Sequence, residues 1–125
     1  MELNALIVSC VEDENNIIIV GFSNGKNSII LQYSPDLYEQ DLDFDWSKYY
    51  LEINSFGGSY SCIGTVELYS DTLRIKLNKN GVMKFNTDVI NIKFFLEQAK
   101  LGELEMFLIR IFENDKSVNF KIIKP

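Results

Sequence analysis

The sequence predicts an α+β fold, a mainly antiparallel β-sheet covered by one amphipathic helix near the C-terminus. Three observations predict it. Short β-branched and apolar runs recur between turn residues. The pair Asn24-Gly25 separates two of those runs, a strong hairpin signal. Beyond residue 97 the apolar spacing changes from every second residue to a helical stripe. No internal repeat, low-complexity tract or linker interrupts the chain, so residues 1–125 read as a single domain, long enough to bury its own core.

Taken in order, residues 4–11 (NALIVSCV) and 16–22 (NIIIVGF) read as strands with a polar turn between them. Residues 16–22 and 28–33 are expected to form a hairpin, its Asn24-Gly25 in the positive-φ conformation of a type I′ turn. Ser34-Pro35-Asp36 has the form of a helix start: Ser as N-cap, Pro at the first helical position, and Asp at the positive end of the dipole. A short helix near 35–42 is therefore expected. Tyr49, Leu51 and Ile53 alternate with Tyr50 and Glu52 as a strand, and NSFGGS (54–59) reads as a loop. TVELYS (65–70) and TLRIKL (72–77) form a second hairpin. NKNG (78–81) reads as a break, VMKF (82–85) as a short strand and VINIKFF (89–95) as a longer one. Leu101, Leu104, Leu108 and Ile111, widened by Phe107 and Phe112, mark a helix over about 98–113. VNFKII (118–123) closes the chain as a last strand.

Composition excludes whole classes of chemistry. There is no histidine, so Ser-His-Asp and Cys-His machinery and His-ligated metals are ruled out. Cys10 and Cys62 match no metal or redox spacing and read as two buried free thiols. No apolar run approaches the roughly 20 residues of a membrane span, and the N-terminus lacks the pattern of a secretory signal. Cytoplasmic residence, without a membrane partner, is the expectation. Charge is uneven: residues 1–63 hold ten acids and two bases, a balance of −8, while residues 64–125 hold eight acids and ten bases, a balance of +2. Such a chain is poorly suited to nucleic acid, whose phosphates are neutralised by Lys and Arg, and better suited to a basic protein partner.

The acids concentrate in one stretch. Asp36, Glu39, Asp41, Asp43 and Asp45 occur without an intervening Lys or Arg, interleaved with Tyr38, Phe44 and Trp46. Asp41, Asp43, Asp45 and Glu52 match calcium-loop positions one, three, five and twelve, but Trp46 fills the position where that loop needs Gly. An irregular divalent-cation site and a glycosidase-like carboxylate pair both remain open, although spacing along the chain fixes no separation across a cleft. GFSNGK has too few residues between its glycines for a phosphate loop, and its turn is explained by the hairpin. Gly57-Gly58 likewise reads as a turn. Arg74, Lys76, Lys84 and Lys93 read most simply as the wet side of a sheet, and the helical stripe as core. Two accounts of the acidic stretch stay level. In one it is a solvated helix and loop; in the other its acids and rings form a partner surface, with rings supplying area and acids steering a cationic protein. No cofactor or metal is expected, and a homodimer through an exposed edge strand is left open.

The order of features also resembles a known family. Leu31-Gln32 ends a strand and Gln40-Asp41 falls in the acidic stretch. Residues 45–52 (DWSKYYLE) give an acid, an aromatic and a Tyr-x-Glu strand; Tyr60 and Ile63-Gly64 follow. The paired pattern VELYSDTLRIKL (66–77) and the helix end Ile111-Phe112 complete the series. On these residues, spanning 28–113, the chain resembles the Immunity protein 10 family, with Gln32, Asp41, Tyr50 and Glu52 as its polar markers. It departs from that pattern at Tyr33, where Arg is expected, and at Gly57-Gly58, which precede Tyr60 rather than following a Tyr directly. The resemblance implies an antidote of a bacterial polymorphic toxin system, which binds a sibling toxin domain in the cytoplasm and blocks it. It transfers no catalytic residue. A partner-binding surface of Asp36, Tyr38, Glu39, Asp41, Asp43, Phe44, Asp45 and Trp46 is the expectation, with a general interaction domain and a carboxylate-dependent or divalent-metal enzyme as rivals.

Overall fold

A computed structural model describes residues 1–35, 48–54 and 56–124. The expected helix near 35–42 lies, from residue 36 onward, outside them. The fold is α+β as anticipated, but its strands form two five-stranded sheets rather than one. Strands β2 (Ile7–Glu12), β3 (Ile18–Ser23), β4 (Ser28–Tyr33), β5 (Tyr49–Ile53) and β6 (Gly57–Tyr60) pair consecutively and antiparallel as a meander. The second sheet is mixed, in the order β1 (Glu2–Asn4), β9 (Val89–Lys93), β8 (Thr72–Leu77), β7 (Ile63–Leu68) and β10 (Asn119–Ile122). Its centre is antiparallel, while the outer strands β1 and β10 join β9 and β7 in parallel.

Alternation explains the core. Ile18, Val20, Phe22, Ile29, Leu31, Tyr49, Leu51 and Ile53 are the inward residues of the meander sheet. Val66, Leu68, Leu73, Ile75, Ile90 and Ile92 are those of the mixed sheet. All belong to one buried cluster, joined by Phe85, Leu104, Leu108, Ile111 and Phe112 from the helices. Phe22 and Phe94 stack between the sheets at 6.3 Å.

Several local expectations change. The run at 4–11 is two strands, because the chain passes from one sheet to the other at Ala5-Leu6, where Ala5 N–H donates to Lys93 and Leu6 N–H to Ser23. The β3–β4 hairpin closes at Ser23 and Ser28 through four residues, not two. Only Gly25 takes positive φ (92°), and the Asn24 side chain accepts from the N–H groups of Lys26 and Asn27. Residues 79–85 are helix α1 (Lys79–Phe85), not a break and a strand. Asn78 caps it, accepting from Gly81 N–H at 3.1 Å, while its amide donates to Ser61 at 2.9 Å. Gly81 is required there, since a β-carbon would collide with the Cys62 carbonyl. Residues 57–59, read as part of a loop, belong with Tyr60 to the strand β6.

The amphipathic helix is α2 (Gln98–Phe112), within a residue of its expected span. It packs against β2 and β3 of one sheet and β10 of the other. Arg110 forks onto the Glu12 carboxylate at 3.0 and 2.8 Å. Phe112 meets Tyr49 edge-on at 5.6 Å and Phe120 at 5.8 Å.

Candidate functional site

Asp36, Tyr38, Glu39, Asp41, Asp43, Phe44, Asp45 and Trp46 lie outside the described residues. What the structure gives is their attachment. Residues 36–47 join β4 to β5, and Ser34 N–H donates to the Lys48 carbonyl at 3.0 Å just before that junction. Tyr33 pairs with Tyr49 as the last rung of the ladder. The β5 end is held deep in the core. The Tyr49 hydroxyl accepts from Ile63 N–H at 2.7 Å and donates to the Ile63 carbonyl at 3.5 Å, and burial pushes its pKa well above the usual phenol range.

Strand register brings the other family-marker residues together. On the face of the meander sheet turned away from the core, Gln32 stands beside Tyr50, and Tyr50 beside Tyr60. The Tyr50 and Tyr60 rings meet at 5.0 Å, tilted by 54°. One row along, Ile30 pairs with Glu52 and Glu52 with Gly58. Gly58 is a packing requirement, because a β-carbon there would overlap the Tyr50 ring. Towards the other edge the same rows continue through Ile19 to Val11 and through Gly21 to Ser9, with Ile7 beside Ser23.

This face is covered by no described helix or strand. Ile7 is 62% exposed and Val11 50%, while Ile19, Ile30, Gln32, Tyr50 and Glu52 are half-buried among their neighbours. Among the strand residues that share this face, Glu52 is the one charged residue. The exposed apolar residues of this face are Ile7 and Val11 on β2 and Tyr60 on β6, at its two edges. Residue-by-residue reading missed Val11, Ile19 and Ile30. The available signal was that IIIV (17–20) and SIIL (28–31) carry no charge at the alternate positions where a wet sheet face normally does.

Elsewhere the chemistry is quiet. Cys62 is buried and Cys10 half-buried, both free. Loss of hydration raises their pKa values to about 12 and about 11, so neither is a ready nucleophile. A cleft of about 380 Å³ between α2 and the β7–β10 edge is lined by Leu68, Leu101, Ile122 and Ile123, with Glu105 and Lys124 among its polar groups. Among the described residues no three Cys, Asp or Glu side chains are grouped to hold a metal. No helix among them is long and apolar enough to cross a membrane.

Compared with known proteins, residues 4–102 match the family described as Immunity protein 10. No curated protein and no solved structure matches. The match takes in Gln32, Asp41, Tyr50 and Glu52 and reaches further towards the N-terminus than the residues that first carried the resemblance, so it includes the whole meander sheet. The chain belongs to the Immunity protein 10 family.

Proposed function

We propose, from membership of the Immunity protein 10 family, that this chain binds a cognate bacterial toxin domain in the cytoplasm of the producing cell. It neutralises that domain by non-covalent occlusion. The observation that carries the reading is the family match over residues 4–102. The protein then performs no chemistry. It needs a surface that a toxin cannot leave quickly, and complexes of two proteins reach very high affinity on contacts alone.

In this reading the stretch from Asp36 to Trp46 meets a basic cleft of the toxin, with Asp41, Asp43 and Asp45 steering it and Tyr38, Phe44 or Trp46 filling apolar recesses. The balance of −8 over residues 1–63 supports a cationic partner.

Co-expression with the protein encoded by the adjacent gene tests the function. Protection of the host and a complex stable to gel filtration are expected. Undiminished toxicity with no complex would remove the immunity reading for that pair. Reversing the charge of Asp41, Asp43 and Asp45 together is expected to slow association about tenfold or more at low salt, with little change in melting temperature.

A further inference from the structure

Two five-stranded sheets leave four edge strands, and unpaired backbone groups along such an edge recruit other strands unless something guards them. Three of the four are short. β1 has only three residues, β6 has four and opens on Gly57-Gly58, and β10 has four with Lys121 exposed. β2 is different. It has six residues in unbroken register with β3, contains no Lys, Arg or Pro, and exposes Ile7, Ser9 and Val11.

The hydrogen bonds show which way its backbone looks. Asp13 N–H donates to the Ile17 carbonyl at 3.0 Å, one pair beyond the β2–β3 ladder and in the same register. Bonded pairs alternate in an antiparallel ladder, so Ile7, Ser9 and Val11 turn their N–H and C=O groups to β3. Val8, Cys10 and Glu12 turn theirs to the open edge. On its inner side the strand is bordered by α2, where charges are already matched: Lys100 pairs with Glu103 at 2.7 Å beside Cys10, and Arg110 with Glu12 at 2.8 Å.

We propose that β2 pairs with β2 of a second copy of this chain, antiparallel about a two-fold axis at Ser9, joining two meander sheets into one. At this register Val8 exchanges both backbone bonds with the second copy's Cys10, and Cys10 with its Val8. On the outward side Ser9 meets its own mate and Ile7 meets Val11, each in the closer, non-hydrogen-bonded kind of pair. The exposed apolar side chains of the strand thus cover one another. An axis one residue further on, at Cys10, would set Val11 against Ser9 and Ile7 against Asp13. Charge permits the pairing at Ser9. Glu12, Asp13 and Glu14 of the two copies go to opposite ends, and Glu12 stands about 20 Å along the strands from its mate. That is beyond the screening length of about 8 Å at physiological salt.

The test is made on the full chain alone. Sedimentation velocity from about 5 to 500 µM is expected to show a reversible monomer–dimer equilibrium, as fits a small interface. Val11→Lys is expected to raise the dimer's dissociation constant about tenfold or more, since it sets a lysine against Ile7 at both ends of the pairing. Lys121→Ser, on the β10 edge, is expected to stay within about twofold of the parent chain. Circular dichroism melts establish that each variant is folded. Ser9→Cys in a Cys10→Ser background reads the register. Its two copies lie about 4.5 Å apart between Cα atoms, within disulfide reach, and mild oxidation is expected to link them. Lys121→Cys in the same background is expected to link about tenfold more slowly, through chance encounters.

A chain that stays monomeric at the highest concentration overturns the pairing, whatever else then uses the edge. So does a dimer that folded Val11→Lys leaves intact, or one in which Ser9→Cys links no faster than Lys121→Cys. None of these outcomes touches the immunity reading, on which the pairing does not rest.

Discussion

The mixed sheet and the meander sheet share one core, yet they meet the outside in opposite ways. Across the outward face of the mixed sheet, Glu67, Arg74, Asn91 and Glu2 stand side by side, with Lys121 next to Glu67. Thr65 and Lys76 form the next row, and Thr72, Lys93 and Asn4 another. Those side chains are polar or charged, and opposite charges stand on neighbouring strands at Glu67, Arg74 and Lys121. The meander sheet has Val11, Ile19, Gln32, Tyr50 and Tyr60 in one row and Ser9, Gly21, Ile30, Glu52 and Gly58 in the next. Each sheet turns its other face to the core, and on the meander sheet Ile19, Ile30 and Tyr50 are half-buried while Val11 and Tyr60 are exposed. Among the described residues it is the meander sheet whose outward face gives up charge, with Glu52 as its one charged strand residue.

That contrast can be broken most severely from inside. Leu51 lies on β5 between Tyr50 and Glu52 but points into the core with no exposure. Leu51→Ala is expected to cost about 2–5 kcal/mol in urea denaturation. A single transition is expected, since one buried cluster spans both sheets; two resolved transitions would show that the sheets are independent units.

A smaller effect sharpens the outward face itself. Gly58→Ala is expected to lose about 1–3 kcal/mol, because the added methyl displaces the Tyr50 ring. In the Tyr50→Ala background the same change should be close to neutral. Equal losses in both backgrounds would mean that the ring does not rest on Gly58.

The least effect belongs to an exposed ion pair. The fork from Arg110 holds the Glu12 carboxyl below its usual range. The sign follows directly: a carboxyl whose folded pKa is depressed adds stability above its unfolded value and loses it as pH falls through the folded one. Glu12→Gln is therefore expected to flatten the acid limb of a pH–stability profile below about 4.5 and to leave neutral stability nearly unchanged, as both groups are in water.

Strands, hairpins and the long helix were legible because each rests on local periodicity. The alternation of Tyr49, Leu51 and Ile53 and the stripe from Leu101 to Ile111 needed no partner to be recognised. The division into two sheets was not legible. Alternation shows which side chains face inward, but not which strands pair, and NALIVSCV holds no sign of the crossing at Ala5-Leu6. Helix α1 was hidden because Asn78 and Gly81 look like turn residues, although Asn78 is a cap and Gly81 sits tight on Cys62. Strand β6 was hidden for a similar reason: Gly57-Gly58 suits a turn until the Tyr50 ring claims the space above it. For the site, Gln32, Tyr50 and Glu52 were visible one by one as family markers. Their adjacency depends on strand register, which connects residues eighteen to twenty-two positions apart.

The parallel pairings at the two margins of the mixed sheet have a consequence for how the protein comes into being. Residues 2–4 find their place only beside residues 89–93, and β7 gains its outer neighbour only when residues 119–122 are made. The meander, built from neighbouring segments, has no such wait. Vectorial synthesis thus completes the meander sheet before the mixed sheet.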